Sequence, residues 1–306
     1  MSHLPFTLLA YLFNALAVLT NKFLLNKTIP DPLIYVFYIS LVSLLAILAL
    51  PFTKIPSLEV WSLASSSTIL WTSGAYFMFK ALKIGQVSRV IPVIGTLIPL
   101  VLLVFASQTN MVSSLQALAV LLLILGMVFL TITDWQGNFK FRELLFEVLS
   151  AGFFAVSYII LRQAYQGSDF FSVIVWSRLI LLPLGLIILL IPHLRRKIIT
   201  SQGPKINFLS KPGLIFLGGQ ISGTTSELLL LFSISLANPA LVNSLQGTQY
   251  IFLLALSLIL AKKYPAIFEE KLTIKTLLPK SLGIILIGVG LYLLVYRWRF
   301  APNSLL

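Results

Sequence analysis

Ten mostly apolar stretches, each close to twenty residues long and joined by short connectors, constrain this chain more than any other feature. They run over about 5–24, 32–51, 60–82, 88–106, 113–133, 144–164, 172–191, 214–236, 240–261 and 281–297. About twenty helical residues at about 1.5 Å each cover the hydrocarbon thickness of a bilayer. With 58% hydrophobic and 10% charged residues, the chain holds more apolar surface than one water-facing core can hide. Soluble domains carry about 25% charged residues. The expected class is therefore an all-α integral membrane protein with ten transmembrane helices. Connectors such as Ile29-Pro30-Asp31-Pro32, Asn238-Pro239 and Trp135-Gln136-Gly137-Asn138 are rich in turn residues. None is long enough to form a soluble energy-supplying domain. The start of the chain lacks a basic segment and a small-residue cleavage site, so it is read as a retained first span.

A net charge of +13 raises the question of nucleic acid, but the distribution argues against it. The basic residues form short groups between apolar runs, with no aromatic-basic platform, as bilayer-flanking charges do. Odd-numbered connectors hold 17 of the 22 Lys and Arg. The other side, with both termini, holds Lys54, Arg162, Arg297 and Arg299, and Arg178 lies within a span. The charge rule thus places the odd connectors in the cytoplasm and the termini outside, in a multi-pass protein of the cell membrane. With no cysteine, disulfide, zinc and thiol chemistry have no residues to act through.

An internal repeat is visible at a shift of 152 residues. Val90 meets Val242, Gly95-Thr96 meets Gly247-Thr248, Leu102 meets Leu254, and Thr72 meets Thr224. Ten further residues bring Gly126 onto Gly288. The halves are 1–135 and 143–299, with a short tail over 300–306. Five spans per half is odd, so the halves insert in opposite senses. Many secondary transporters share this plan, with substrate bound near the midplane between repeats.

Two segments carry a family resemblance. One is YFMFKALKIGQVSRVIPVIGTLIPLVLLVFA over 76–106; the other is FSISLANPALVNSLQGTQYIFLLALSLIL over 232–260. With the Glu269-Glu270-Lys271-Leu272-Thr273 turn, they resemble the EamA family of the drug/metabolite transporter superfamily. The resemblance implies two inverted five-helix repeats, solute transport and cytoplasmic termini, the last opposite to the charge count. The chain departs from that pattern at Gln108-Thr109-Asn110, where an acidic turn is expected. Its first span offers Asn14 and Asn21 where related small multidrug pumps carry a carboxylate.

Ionisable residues inside hydrocarbon are costly and are functional candidates by default. Glu227 falls mid-span, roughly 13 Å from the face that bears the termini, and Arg178 roughly 9 Å from it, counting rise per residue. These two are expected to bind substrate or a proton, or else to form a static ion pair tying two helices. The remaining carboxylates sit at span ends, with Glu147 about one turn inside. Gln220, Thr224 and Glu227 share one helical face, as do Asn243, Gln246 and Tyr250, and Thr72 and Tyr76 (with Thr68) form a matching stripe. Each face either lines a substrate path or hydrogen-bonds a neighbouring helix. Gly95 and Gly247 are read as helix-packing positions, and Pro92, Pro99 and Pro183 as candidate kinks. Trp61, Trp71, Trp176 and Trp298 are read as interface anchors, and His193 as solvated.

The expected function is a secondary transporter or exporter of small organic metabolites or drug-like solutes by alternating access. The expected partners are a small-molecule substrate, a proton as candidate coupling ion, and the bilayer, with homodimerisation open. No cofactor, metal or nucleic acid is expected. A flippase for a lipid or lipid-linked sugar is the alternative. No HExxH, paired aspartates or Ser-Lys constellation falls within a span, so an enzyme is not expected. Substrate, direction and coupling ion are not written in the sequence.

Overall fold

The structure, a computed structural model, describes residues 4–27, 29, 31–106, 114–135, 141–200, 209–236, 245–264, 266 and 273–296. It is all-helical: helix makes up 92%, and no strand occurs among the described residues. In order, the helices are α1 (Leu4–Lys27), α2 (Pro32–Ser43), α3 (Leu58–Ile84), α4 (Val87–Ala106), α5 (Ser114–Trp135) and α6 (Phe141–Gly167). They continue with α7 (Phe170–Ser177), α8 (Leu181–Leu190), α9 (Pro192–Thr200), α10 (Lys211–Leu236), α11 (Gly247–Lys263) and α12 (Ile274–Tyr296). Five described segments are long and apolar enough to cross a membrane: Leu4–Lys27, Pro32–Phe52, Phe141–Gly167, Phe171–Leu190 and Ile274–Leu293.

Local chemistry sets the ends and breaks of these helices. Asp31 caps α2 by accepting the Leu33 amide at 2.8 Å, with Pro32 at the first helical position where its missing amide costs nothing. Asp169 caps α7 by accepting the Ser172 amide at 2.9 Å. Two spans are not uniform α-helix. Leu44–Phe52 continues α2 as a 3-10 helix containing Pro51. Arg178–Ile180 forms a 3-10 turn between α7 and α8. Pro183 would clash with the carbonyl four residues back, at Leu179, so the chain tightens there. The expected kink in span seven thus falls on Arg178. By contrast α4 runs unbroken through Pro92 and Pro99.

Three long helix pairs build the bundle: α3 along α6, α5 along α12, and α1 along α10. Each uses small residues to bring backbones together, as helices in lipid do where water supplies no hydrophobic drive. On α1–α10, Gly219 abuts Thr20 and Gly223 faces Ala17. On α5–α12, a methyl on Gly126 would stand 2.8 Å from the Gly283 carbonyl. Gly126 thus packs on Gly283, and between α11 and α12 Gly247 packs on Gly288. On α3–α6, the Ser67 and Ser157 hydroxyls lie 2.9 Å apart, and Ser150 donates to the Gly74 carbonyl at 2.9 Å. Lesser contacts join α4 to α6, α1 to α11, α4 to α11, α4 to α5 and α11 to α12.

Several edges differ from the sequence reading. The last helix begins at Ile274 rather than near 281, so Lys280 lies inside it and is buried. The 192–213 connector contains α9, on which His193 is exposed.

Candidate functional site

Glu227 is exposed on α10, as is Thr224 one turn before it, while Gln220 is half-buried. Glu227 lies within electrostatic reach of Tyr158 and Tyr165 on α6. Arg178 also acts on Tyr165, from the 3-10 turn, and its guanidinium sits 6.0 Å from the centroid of the Trp71 ring. Arg178 and Glu227 form no direct ion pair. The static helix-tying pair is therefore absent, and two opposite charges stand apart around one group of aromatic rings. The tyrosines were missed by the sequence reading. Tyr158 and Tyr165 are seven residues apart, on one face of α6, which was the available signal.

The second polar face behaves differently. Tyr250 is fully buried and its hydroxyl has no hydrogen-bond partner among the described residues. It presses against Gly95 on α4, with the Gln246 amide nearby and Tyr11 of α1 within electrostatic reach. Gly95 is thus a seat for the tyrosine oxygen, whereas Gly247 packs directly on the backbone of Gly288. Gln246 is half-buried just before α11. Asn243 lies outside the described residues, and of Pro99 only the backbone is described. Pro92 accepts at its carbonyl from the Thr96 hydroxyl at 2.7 Å.

Thr72 and Tyr76 line an apolar cleft of about 300 Å³ between α2, α3, α6 and α8, with Phe37, Phe153, Leu184 and Gly185. The Thr72 hydroxyl bonds the Thr68 carbonyl of its own helix at 2.7 Å, so it presents a methyl-lined wall rather than an open donor. Trp61 and Trp176 are tied together rather than to lipid alone. The Trp61 indole donates to the Trp176 carbonyl at 3.3 Å and the Trp176 indole to Thr53 at 3.0 Å. Among the described residues no three His, Asp or Glu gather closely enough to hold a metal ion.

A further polar cluster, unforeseen in the sequence, gathers at the opposite end of the bundle. Arg89 on α4 pairs with Glu143 and, at 3.4 Å, with Glu147, all three buried. Lys22 on α1 donates to the carbonyls of Leu82 at 2.6 Å and Gly85 at 2.8 Å. Lys280 on α12 donates to Gln86 and, at 3.0 Å, to Ser88. Glu143 and Glu147 are four apart and so share a helical face. Glu147, one turn inside its helix, faces into the bundle toward the Arg89 guanidinium.

No family model matches the chain. No curated protein matches it. A solved structure described only as "Crystal structure of protein" superposes with a TM-score of 0.55 at 15% identity, over 96% of this chain and 99% of that one. The similarity extends over the whole helical path and concerns the fold alone. The EamA-like resemblance therefore rests on its motif residues.

Proposed function

We infer that this chain is a secondary transporter of small polar organic solutes, built from two inverted five-helix repeats that rock about a shared site. The observation that carries the reading is Glu227. A carboxylate within an apolar run that is exposed and has no ion-pair partner among the described residues needs a wet cavity or a ligand, because bare hydrocarbon would not tolerate its charge. Arg178, set apart across the aromatic group, offers the complementary charge. The pair suits a solute bearing an amine, an acid or both.

Many of the helix contacts, though not α3–α7 or α2–α3, pair off under a two-fold exchange of the halves, in keeping with a repeat. Exchange of α1 with α6, α2 with α7–α8, α3 with α10, α4 with α11 and α5 with α12 turns the α1–α10 contact into α6–α3. It likewise turns α4–α6 into α11–α1 and α4–α5 into α11–α12, while α5–α12 and α4–α11 map onto themselves. An arrangement of this kind places the site between the halves. Glu227→Gln in reconstituted vesicles tests the reading, with a melting-temperature screen against amino acids and amines to find the solute. The expected result is uptake lowered by about tenfold or more, with the ligand-induced melting shift reduced. Unchanged uptake across pH would remove Glu227 from the mechanism.

One observation favours a flippase as second reading. The cleft between α2, α3, α6 and α8 is lined almost wholly by apolar side chains and suits an acyl chain better than a hydrophilic solute. Scrambling of a fluorescent lipid by proteoliposomes, without solute uptake, would favour it.

A further inference from the structure

The turn from Ile84 to Arg89, between α3 and α4, is gripped from three sides by charged groups buried in the bundle. Lys22 holds the Gly85 carbonyl, and that of Leu82 just before the turn, from α1; Lys280 holds Gln86 and Ser88 from α12, and Glu143 and Glu147 hold Arg89 from α6. Gly85 is fitted to this arrangement: a Cβ there would overlap the Glu143 carboxylate. Lys80 on α3 takes no part, standing 4.4 Å from the centroid of the Tyr76 ring. Two of the three grips, Arg89 with its carboxylates and Lys280 with Gln86 and Ser88, join the first half of the chain to the second.

The counterpart of this turn at the 152-residue shift is Leu236-Ala237-Asn238-Pro239-Ala240-Leu241, which has no charge at all. Leu241 stands where Arg89 does, and Ala240 where Ser88 does. Symmetry of the repeat therefore stops at the closure. One copy of this segment carries the charges of a lock, and its counterpart in the sequence carries none.

We propose that the 84–89 turn with Lys22, Arg89, Glu143, Glu147 and Lys280 is a gate latch, which shuts the end of the molecule that carries the odd connectors and biases the resting protein toward opening at the other end. This rests on the alternating-access reading. A buried ion pair holds strongly against the loss of one partner, yet once both partners reach water their charges are well solvated. Such a group is stable shut and stable open, with a barrier between, as a two-state gate requires.

The chain has no cysteine, so single reporters need no altered background. Val93→Cys, one turn along α4 from Arg89 and buried, reports opening behind the latch; Thr224→Cys, exposed on α10, reports the central space. Both are labelled with an impermeant maleimide in proteoliposomes, with and without Glu143→Gln/Glu147→Gln. The expected result is a rise of about tenfold or more in labelling of Val93→Cys and a fall at Thr224→Cys, as the population shifts. Lys280→Met frees the other side of the turn with the carboxylates still paired. It gives the same test, with a smaller expected rise, if the double variant shows no melting transition. A rise at Val93→Cys with Thr224→Cys unchanged would make the turn a plug and would overturn alternating access. No change at either reporter, in variants that still melt cooperatively, would overturn the latch and leave the transporter reading standing.

Discussion

Tyr250 and Gly95 show how one missing side chain can define a site. The tyrosine is fully buried with a hydroxyl unpartnered among the described residues, and it fits only because position 95 has no Cβ. Gly95→Ala forces either the ring or α4 to move, and overpacking of this kind costs about 1–3 kcal/mol. Tyr250→Phe removes a hydroxyl that bonds to nothing among the described residues, so its stability cost should be close to zero. The double variant should recover most of the loss seen in Gly95→Ala, measured by thermal unfolding in detergent; strict additivity would mean that the two residues do not meet. Asp169 gives a pH-dependent case at the same scale. The Ser172 amide and hydroxyl, then Lys54, hold its carboxyl below its ordinary value of 3.8. A depressed folded pKa means the contribution is complete above the unfolded value and is lost as pH falls through the lower folded one. Asp169→Ala should therefore lower the melting temperature at pH 7, and the difference from wild type should close as the pH falls through the lowered folded value. A gap that persists at acid pH would assign the effect to something other than the charged cap.

Among the helices, close approach is concentrated at particular glycines, and their substitutions should separate cleanly. Gly152 and Gly218 face open space, so Ala at either is expected to raise stability by up to about 1 kcal/mol through helix propensity. Gly283 lies against the Gly126 carbonyl and the Leu130 backbone, where no side chain can yield. Gly283→Leu should part α5 from α12 and abolish the cooperative melt that the Gly152→Ala protein retains. Equal tolerance at 152 and 283 would deny that α5 and α12 meet there. The broken span formed by α7, its 3-10 turn and α8 makes a related point. Pro183 is visible in the sequence as a disturbance, but its effect is felt one turn earlier and so carries Arg178 over the Trp71 ring.

Across the whole molecule, positive charge is divided between surface and interior. Among the described basic residues, Lys22, Arg89 and Lys280 are drawn into the bundle, whereas Lys27, Lys83 and Lys211 stay exposed. What the sequence by itself determined was the material: apolar runs of span length point to helices, because a helix satisfies its own backbone hydrogen bonds, as any chain suited to hydrocarbon has to. It also marked Glu227 and Arg178, since a charge inside an apolar run stands out in one dimension. Only the tertiary structure decided that these two do not touch, that Tyr158 and Tyr165 stand near Glu227, and that Glu143 and Glu147 reach inward to Arg89. A carboxylate near the start of a span reads the same whether it faces water or a buried guanidinium. The choice depends on what the neighbouring helix offers at that height, and that is fixed by packing between residues distant along the chain.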